Sequence, residues 1–351
     1  MSEKILMKGN QAIAEAAVQA GVDAYFGYPI TPQNELIAHM ALRMHQEKRV
    51  FIQTESEIAA INMVLGAAAT GKRVMTSSSS PGISLKQEGI SYIAGCEVPC
   101  VIVNMSRGGP GLGGIRGAQS DYFQSTRGGG HGDYRLIVFA PSTVQEAYDL
   151  TIKAFDLADK YRNPTMILGD AIVGQMMEPF ELKPYVRPKL PAKDWALTGA
   201  DGRERRIVKS LFLHPAEALV EHNIKLQKRY AEITENETLH EAESIDDADL
   251  IVVAFGSVGR IAKGAVREAR KQGLKVGFIR PITLWPFPTK VIADAAKSCK
   301  NFLVVEMNFG QMLHDVKLAI DCAADVKFYG FGGGWYPTAE GILEEVKKWN
   351  Q

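Results

Sequence analysis

The chain has 351 residues, and its 40 Lys and Arg balance its 40 Asp and Glu, so the formal net charge at pH 7 is zero. This length allows two domains, each with a sizeable core. A neutral chain without a long basic block argues against nucleic acid or a membrane surface as the main partner. The first ten residues lack a signal peptide's apolar core, and no apolar run approaches the ~18 residues of a membrane span. We therefore expect a cytoplasmic protein.

The cysteines argue against a metal site in this chain. The four are Cys96, Cys100, Cys299 and Cys322, and no two form a C-x-x-C pair. Neither a zinc site nor a ferredoxin-type iron–sulfur cluster is therefore predicted, and reduced buried thiols are expected instead.

Residues 1–177 alternate between two patterns. Strand-like runs rich in β-branched or aromatic residues are VDAYFGY, RVFIQT, RVMTSSS, VPCVIVNMS, LIVFAPS and TMILGD. Helical stretches between several of them have apolar residues at steps of three and four, as in NELIAHMALRM, EIAAINMVLGAAA and VQEAYDLTIKAFDLADKY. This alternation predicts an α/β fold with a doubly wound parallel sheet, in which ligands bind beyond the carboxyl ends of the strands.

Residues 178–244 interrupt the alternation. The segment EPFELKPYVRPKLPAKDW is rich in proline and unsuited to a central strand. An amphipathic helix is predicted from Pro215, with one apolar stripe made of Leu219, Leu226, Tyr230 and Ile233. Alternation resumes in residues 245–351 with DLIVVAFGS, GLKVGFIRP, NFLVVEMN and VKFYGFGG, which predict a second, smaller α/β domain.

The corner GYPITPQNE follows the first predicted strand. Thr31 can act as a helix N-cap with Pro32 at the first helical position. The alternative is that the Thr31 hydroxyl and the free N–H groups of the helix face a ligand. The sequence alone leaves both interpretations open.

Glu57 follows the strand RVFIQT. Its spacing from Thr54 is that of a capping box, which would explain Glu57 without any chemistry. However, a parallel sheet also places its active groups at the ends of strands, and a carboxylate entering an apolar helix there is a candidate catalytic group.

Arg107 directly follows the strand VPCVIVNMS and opens the glycine-rich segment SRGGPGLGG. Its planar guanidinium suits bidentate capture of a carboxylate, although a surface arginine before a flexible loop is the alternative. The segment also matches the dinucleotide pattern G-x-G-x-x-G, but its late strand and internal Pro110 make the match accidental in our interpretation. In the second domain, Ser257, Glu306 and Asn308 lie at strand ends, where turn and capping roles are expected.

Together, these stretches resemble one family. YPITP after the first strand, SE at the start of an alanine-rich helix and SRGGPG after a later strand are similar to the α subunit of 2-oxoacid:ferredoxin oxidoreductases. These thiamine diphosphate enzymes oxidatively decarboxylate 2-oxoacids to acyl-CoA. GGPGLGG followed by DYFQSTRGGGHGDYR resembles the branched-chain, 2-oxoisovalerate members most. The 2-oxoglutarate members tend to have Ser-Thr-Gly where this chain has Gly111, Leu112 and Gly113, but 2-oxoglutarate stays open as a substrate.

The resemblance implies a pyrimidine-binding domain, then a domain like the C-terminal one of transketolase. It implies that Glu57 hydrogen-bonds the ring nitrogen N1′ of the cofactor's aminopyrimidine, so that the cofactor serves as its own base. Arg107 would pair with the 2-oxoacid carboxylate, and Thr31 would lie near the substrate. Other positions implied at the cofactor or the substrate are Tyr28, Pro29, Ile30, Gly108 and Gln119.

Features absent from the chain imply partner subunits. The family's G-D-G signature for magnesium and the diphosphate is missing, since GDY at 132–134 and GDA at 169–171 do not fit it. The resemblance therefore implies a β subunit that brings the diphosphate, Mg²⁺ and at least one iron–sulfur cluster. It also implies a γ subunit, a ferredoxin-like subunit or domain, ferredoxin and coenzyme A. The alternatives are an oxidoreductase that binds a dinucleotide at GPGLGG and a scaffold whose motif residues are only caps and turns.

Overall fold

The computed structural model describes residues 4–349. Their first half consists of alternating strands and helices, which are β1 (Lys4–Lys8), α1 (Gly9–Gln19), β2 (Ala24–Gly27), α2 (Asn34–Gln46), β3 (Val50–Gln53), α3 (Glu57–Ala69), β4 (Val74–Ser78), α4 (Ser80–Gly95), β5 (Val101–Ser106), α5 (Tyr122–Arg127), β6 (Ile137–Phe139), α6 (Val144–Tyr161) and β7 (Thr165–Asp170).

The second half contains α7 (Ala171–Gln175), β8 (Met177–Glu181), α8 (Glu217–Glu237), β9 (His240–Glu243), β10 (Leu250–Val253), α9 (Gly256–Lys271), β11 (Val276–Pro281), β12 (Thr283–Trp285), α10 (Thr289–Ser298), β13 (Asn301–Glu306), α11 (Gln311–Ile320), β14 (Asp325–Gly330) and α12 (Ala339–Lys347). Among the described residues, no helix combines the length and the apolar character that crossing a membrane would require.

The first domain is built on a seven-stranded sheet in the order β12-β6-β7-β5-β4-β2-β3. Every neighbouring pair is parallel except β12 and β6. Successive strand residues contribute to two different apolar clusters, as Val101 and Ile102 do on β5, so helices cover both faces. The predicted doubly wound parallel sheet is confirmed. The carboxyl ends of β3, β2, β4 and β5 meet at one edge.

The second domain has a five-stranded sheet in the order β14-β13-β10-β11-β9. Its strands are parallel except for β9, which pairs antiparallel with β11. Its amphipathic helix α9 packs Val258, Ala262 and Val266 against the sheet. A smaller α/β domain is therefore present, as the returning alternation predicts.

Three strands pair across the boundaries that we predicted at residues 177 and 244. Met177–Glu181 pairs with Lys4–Lys8 of the first domain, and His240–Glu243 joins the second domain's sheet. Thr283–Trp285, from the predicted second domain, adds an antiparallel edge to the first sheet. These edge pairings join segments far apart in sequence, so local alternation cannot reveal them.

The connector helix α8 begins at Glu217, two residues later than predicted. Leu226, Tyr230 and Ile233 are buried in a core cluster of the first domain. Leu219 is exposed instead, because the first turns of the helix extend beyond that cluster. The apolar stripe is therefore shorter than the sequence predicts.

Candidate active site

The sheet brings the three predicted catalytic residues to one edge. Thr31 follows β2, Glu57 follows β3 and Arg107 follows β5, and these strands share one parallel sheet. Arg107 Nη1 donates a hydrogen bond to the Thr31 carbonyl oxygen at 2.8 Å, across 76 residues of sequence. The edge therefore places a hydroxyl, a carboxylate and a guanidinium in one region, as expected for parallel strands.

The corner after β2 differs from the prediction. Helix α2 begins at Asn34 after Gln33, so Thr31 is not its N-cap and Pro32 is not its first residue. The Gln33 side chain is buried, where it donates to the Tyr28 carbonyl oxygen and accepts from the Ser77 hydroxyl at 2.6 Å. These bonds hold the chain in a turn up to Gln33, so the helix begins later than the sequence predicts. Among the described residues, the Thr31 hydroxyl then has only the Asn34 side-chain amide as a hydrogen-bond partner.

Three residues of this corner lie near the surface. Tyr28 and Pro29 are exposed, and Ile30 is half-buried. The main-chain carbonyl of Tyr28 is bound by the buried Gln33, so the turn itself is fixed while these side chains point away from the core. They are positioned to meet a molecule that approaches the strand ends.

Glu57 is not part of a capping box. Ser56 caps α3, since its hydroxyl accepts a hydrogen bond from the Ala59 N–H at 3.2 Å, and Glu57 is the first helical residue. Thr54 directs its hydroxyl at the Ser56 carbonyl oxygen, 2.8 Å away. The capping explanation is therefore wrong, because a different residue satisfies the helix end and the Glu57 carboxylate is left available.

The Glu57 carboxylate lies against α4 in a place that only a glycine permits. A Cβ atom at Gly82 would stand 2.7 Å from Glu57 Oε1 and 2.1 Å from Ser78 Oγ. The Glu57 residue is 7% exposed, and no residue between 4 and 349 donates a hydrogen bond to its carboxylate. Its carboxylate oxygens retain access to solvent, so a ligand or water can supply the donor.

Behind this carboxylate lies a lysine that our sequence analysis did not identify. Lys86 on α4 is fully buried, and its Nζ donates to Thr76 Oγ1 at 2.6 Å. Burial lowers the pKa of Lys86 to about 7, against the opposing effect of the negative charge of Glu57. The interior beneath Glu57 thus holds an amine that titrates near neutrality.

Arg107 is a buried, fixed residue, which excludes the alternative of a surface arginine before a flexible loop. It is 6% exposed, and its Nη2 donates to the Leu112 carbonyl oxygen at 3.0 Å. The buried Nε has no protein partner among the described residues. Since each terminal nitrogen of the guanidinium carries two N–H groups and gives one to a backbone carbonyl, the others remain for a ligand.

The glycine-rich segment after Arg107 is a closed loop. The Gly108 N–H donates to the Arg116 carbonyl oxygen at 3.0 Å, and the Gly114 N–H donates to the Gly108 carbonyl oxygen at 2.8 Å. Gly113 has φ +60°, and a Cβ atom there would stand 1.7 Å from the Gly108 oxygen. The following helix, α5, begins only at Tyr122. A dinucleotide fingerprint leads directly into a helix N-terminus and this loop does not, which argues against dinucleotide binding.

A cavity of about 410 Å³ lies between this loop and the second domain. Its lining residues come from α4, from the loop between β5 and α5, and from the second domain: Ser80, Pro81, Ser84, Arg107, Gly109, Pro110, Gly111, Ser120, Asp121, Asn308, Phe309, Gln311, Gly332 and Gly333. Among these described residues, Arg107 is the one cation and Asp121 the one anion. The cavity therefore offers one guanidinium, with N–H groups not used by the protein, to a small anionic ligand.

Asp121 and Ser80 are site residues that our sequence reasoning missed. Asp121 Oδ2 accepts hydrogen bonds from Ser80 Oγ at 2.6 Å and from Asn104 Nδ2 at 2.8 Å. Ser80 Oγ in turn accepts from the Arg107 main-chain N–H at 2.9 Å. Burial raises the pKa of the Asp121 carboxyl, while these donors and Arg107 oppose the rise. The serine run at residues 77–80 was the available sequence signal for Ser80, because this run also lies at the end of a strand, β4.

Gln119 holds the two domains together and does not line the cavity. Its side-chain amide donates to the Phe255 carbonyl oxygen at 2.9 Å and accepts from the Met307 N–H at 3.0 Å. Both ends of the amide are therefore used, whereas its neighbours Ser120 and Asp121 face the cavity. We leave Gln119 out of the proposed site for this reason.

The strand-end residues of the second domain have structural partners. Glu306 accepts hydrogen bonds from two main-chain N–H groups at the start of α11, and burial raises its pKa to about 7. Asn308 accepts from two more N–H groups of that turn, so capping roles are present for both. Ser257 instead donates to Asp170 Oδ2 at 2.5 Å, across the domain contact.

Family models match most of the chain. Residues 15–242 match the model described as pyruvate flavodoxin/ferredoxin oxidoreductase, thiamine diphosphate-binding. Residues 248–342 match pyruvate:ferredoxin oxidoreductase core domain II.

Curated relatives cover nearly the full length. The chain is 49% identical to the ketoisovalerate oxidoreductase subunit VorB of Methanothermobacter marburgensis, over 98% of this chain and 97% of the relative. It is 36% identical to the 2-oxoglutarate synthase subunit KorA of Methanothermobacter thermautotrophicus, over 100% of both.

Solved structures show the same architecture. The 2-oxoglutarate:ferredoxin oxidoreductase from Magnetococcus marinus matches all of this chain and 66% of its own chain, with a TM-score of 0.88 and 28% identity. A split-gene transketolase matches 97% of this chain and 95% of its own at a TM-score of 0.59 and 12% identity, which supports the fold alone. On the strength of the matching models and relatives, the chain belongs to the 2-oxoacid:ferredoxin oxidoreductases, a family of oxidoreductases whose first domain is of the thiamine diphosphate-binding type.

Proposed function

We propose that this chain is the α subunit of a 2-oxoisovalerate:ferredoxin oxidoreductase, which oxidatively decarboxylates the 2-oxoacid to an acyl-CoA and reduces ferredoxin. The observation that carries the proposal is the Glu57 carboxylate at the first turn of α3, where the residue is only 7% exposed, no described residue donates to the carboxylate, and its oxygens stay open to a ligand. Arg107, on the same sheet edge, supplies a cation for the substrate carboxylate. The 49% identity to a ketoisovalerate oxidoreductase subunit supports this choice of substrate.

The residues around Glu57 fit the pyrimidine end of thiamine diphosphate. An acceptor that lacks a donor can hold a protonated ring nitrogen, and Gly82 leaves room for the carboxylate in that position. Tyr28, Pro29 and Ile30 would line the approach, since they are exposed or half-buried at the neighbouring strand end. When bound, the cofactor supplies the electron sink for decarboxylation, and the protein supplies orientation and one carboxylate.

Arg107 and its neighbours would bind the substrate. The free N–H groups of the guanidinium are suited to a carboxylate, and the backbone carbonyls of Thr31 and Leu112 fix its plane. Gly108, next in the chain, lets the loop approach the second domain closely. The single cation of the described cavity lining and the exposed apolar side chain of Phe309 in the same lining suit a monocarboxylic acid with an apolar chain.

We propose that a β subunit completes the site with the diphosphate, Mg²⁺ and an iron–sulfur cluster. A γ subunit, a ferredoxin-like subunit or domain, ferredoxin and coenzyme A complete the system. An apolar groove of about 320 Å³ between α3 and α4 supports a protein partner, since Ile58, Leu85 and Tyr92 in it are each about half exposed. Such a groove beside Glu57 would be unusual for a surface that stays in water.

The test replaces Glu57 with glutamine in the assembled complex. Glutamine keeps the size of the side chain but changes its hydrogen-bonding character, so 2-oxoisovalerate-dependent ferredoxin reduction should fall at least about a hundredfold. Glu55→Gln, at an exposed position two residues earlier, is the matched control and should keep full activity. Size-exclusion chromatography confirms assembly, and turnover of Glu57→Gln close to that of wild type would refute the catalytic role.

The choice of substrate has its own test. The 36% identity to a 2-oxoglutarate synthase subunit makes 2-oxoglutarate the second candidate. A dicarboxylate would place its second charge in a cavity whose described lining offers no second cation. We therefore expect kcat/KM for 2-oxoisovalerate to exceed that for 2-oxoglutarate, and the opposite order would contradict the assignment.

A further inference from the structure

The buried side chain of Gln33 ties the corner after β2 to the interior of the sheet. Its Nε2 donates to the Tyr28 carbonyl oxygen at 3.3 Å, and its Oε1 accepts from the Ser77 hydroxyl at 2.6 Å. Because the Tyr28 carbonyl oxygen can only accept a hydrogen bond, the NH₂ end of the amide must face Tyr28 and the oxygen must face Ser77. Both ends of this fully buried amide are therefore used within the protein.

A buried tyrosine continues this series of hydrogen bonds. The Tyr25 hydroxyl on β2 lies 2.6 Å from Ser77 Oγ. Since Ser77 has one hydroxyl proton and gives it to Gln33, Tyr25 must be the donor to Ser77. Burial raises the pKa of Tyr25 above its ordinary value, which keeps this donor protonated. A Cβ atom at Gly27 would stand 2.5 Å from the Tyr25 hydroxyl oxygen, so the glycine at the start of the corner makes room for this hydroxyl.

The other end of the corner is held by two further side chains. The Pro32 carbonyl oxygen accepts from the buried Asn10 Nδ2 at 2.8 Å and from Gln175 Nε2 at 3.1 Å. Between the two held ends, the Thr31 carbonyl oxygen accepts from Arg107 Nη1 at 2.8 Å. Arg107 thus gives one of its two backbone hydrogen bonds to a segment that the protein fixes on both sides.

The corner also sets the direction of the Arg107 guanidinium. Nη1 and Nη2 each donate to one backbone carbonyl, of Thr31 and of Leu112, so these two oxygens define the plane of the group. A planar guanidinium forms two parallel hydrogen bonds with a carboxylate only when the two planes are aligned. A displaced Thr31 carbonyl would therefore turn the guanidinium away from a bound carboxylate without touching the ligand itself.

We propose that Gln33 is a positioning residue, which fixes the corner so that the Thr31 carbonyl holds Arg107 in the orientation that binds the 2-oxoacid carboxylate. This inference rests on the proposed function and adds to it a residue that does not contact the substrate. The orientation is set before the substrate arrives, so binding does not have to reorganise the arginine. The alternative is that Gln33 only stabilises the fold, which predicts fewer active molecules with an unchanged KM.

The test measures KM and kcat for 2-oxoisovalerate in the assembled complex, and KM for coenzyme A as an internal reference. Gln33→Met keeps the length of the side chain and removes both hydrogen bonds. Ser77→Ala breaks the bond between the amide and β4 and leaves the bond to Tyr28. The matched control is Asn163→Leu, since Asn163 is another fully buried amide, donates to two backbone carbonyls and lies at the opposite edge of the sheet, before β7.

We expect Gln33→Met to raise KM for 2-oxoisovalerate about tenfold or more, since a misaligned guanidinium loses a charge-assisted hydrogen bond to the substrate. Its kcat and its KM for coenzyme A should change less than about twofold, because only binding of the 2-oxoacid is weakened. Ser77→Ala should raise the same KM at least about threefold, as it keeps one of the two bonds of the amide. Asn163→Leu should leave KM unchanged even where it lowers the free energy of unfolding.

A double-mutant cycle tests whether Gln33 acts through Arg107. Arg107→Lys keeps the positive charge and lacks the planar fork whose direction the corner sets. In that background Gln33→Met should change KM for 2-oxoisovalerate less than about threefold, whereas independent contributions would repeat the increase seen with the native arginine.

An unchanged KM for 2-oxoisovalerate in Gln33→Met overturns the inference, as does an equal rise in KM for coenzyme A or an additive cycle. Should Gln33→Met fail to assemble, Ser77→Ala decides by its own KM for 2-oxoisovalerate and for coenzyme A. The proposed function fails differently, through a wild-type complex that is inactive with every 2-oxoacid, whereas failure of this inference leaves the wild-type activity intact.

Discussion

Lys86 lies wholly inside the first domain, where its ammonium group has one hydrogen-bond partner among the described residues, Thr76 Oγ1 at 2.6 Å. Its pKa in the folded chain is about 7, against an ordinary value of 10.5. The folded chain therefore binds fewer protons than the unfolded chain between these values, so stability must rise with pH across this window. Lys86→Met removes the titrating group and keeps an apolar stem of similar length.

The size of the effect follows from the two pKa values. Keeping Lys86 buried costs about 4 kcal/mol at pH 7, where half of the folded molecules still carry the charge, and about 2 kcal/mol at pH 9. Wild-type stability relative to Lys86→Met should therefore increase by about 2 kcal/mol from pH 7 to pH 9. The lost hydrogen bond to Thr76 lowers the free energy of unfolding of the variant by about 1 kcal/mol at both pH values. The expected change between pH 7 and pH 9 is therefore unaffected.

The free energy of unfolding is measured by chemical denaturation of wild type and variant at pH 7 and pH 9. Cys100 faces Lys86, but burial raises its pKa to about 12, so it stays a neutral thiol in the folded chain throughout this range. Lys271→Met, at an exposed position, is the control and should show no such pH dependence. If wild type and variant differ in free energy of unfolding by the same amount at pH 7 and pH 9, the conclusion that Lys86 titrates near neutrality is refuted.

Two further substitutions test contacts that the tertiary structure creates. Gly82→Ala should lower ferredoxin reduction at least about tenfold while the fold persists, because the added methyl group displaces the Glu57 carboxylate. Gly66→Ala on α3 meets no atom within 4 Å and is the control, and full activity of Gly82→Ala would contradict the assignment. Arg280→Met should lower the free energy of unfolding by about 3 kcal/mol, because the buried Arg280 joins Glu146 of the first domain to Glu241. A loss below about 1 kcal/mol would show that these carboxylates find other partners.

Sequence reasoning reached the main features of the site because they depend on local order. Strand–helix alternation implies a parallel sheet, and the carboxyl ends of parallel strands share one edge. Thr31, Glu57 and Arg107 each follow a strand, so the order of elements along the chain is enough to predict their convergence. The same reasoning could not choose between roles for each residue, since a motif of a few residues also serves as a cap or a turn.

The errors arose where several residues compete to satisfy the same backbone groups. Thr31 and Thr54 both have the chemistry of a helix cap, but Gln33 occupies the first cap position and Ser56 the second. In the first case the buried bonds of the Gln33 side chain decide the outcome, and one of them joins a strand 44 residues away. Propensity near a helix end predicts that a cap exists more reliably than which residue provides it.

The fold class, the sheet edge that carries the site and three residues on that edge all follow from the sequence, because they depend on periodicity and on the direction of parallel strands. The roles of Gln119 and Asp121 do not, although the two are only two residues apart: the first joins the domains and the second faces the cavity. The link that Ser80 makes between Asp121 and Arg107 is likewise a product of folding. Those assignments depend on contacts between segments tens of residues apart, and no local pattern encodes which partner a buried polar side chain meets once the chain has folded.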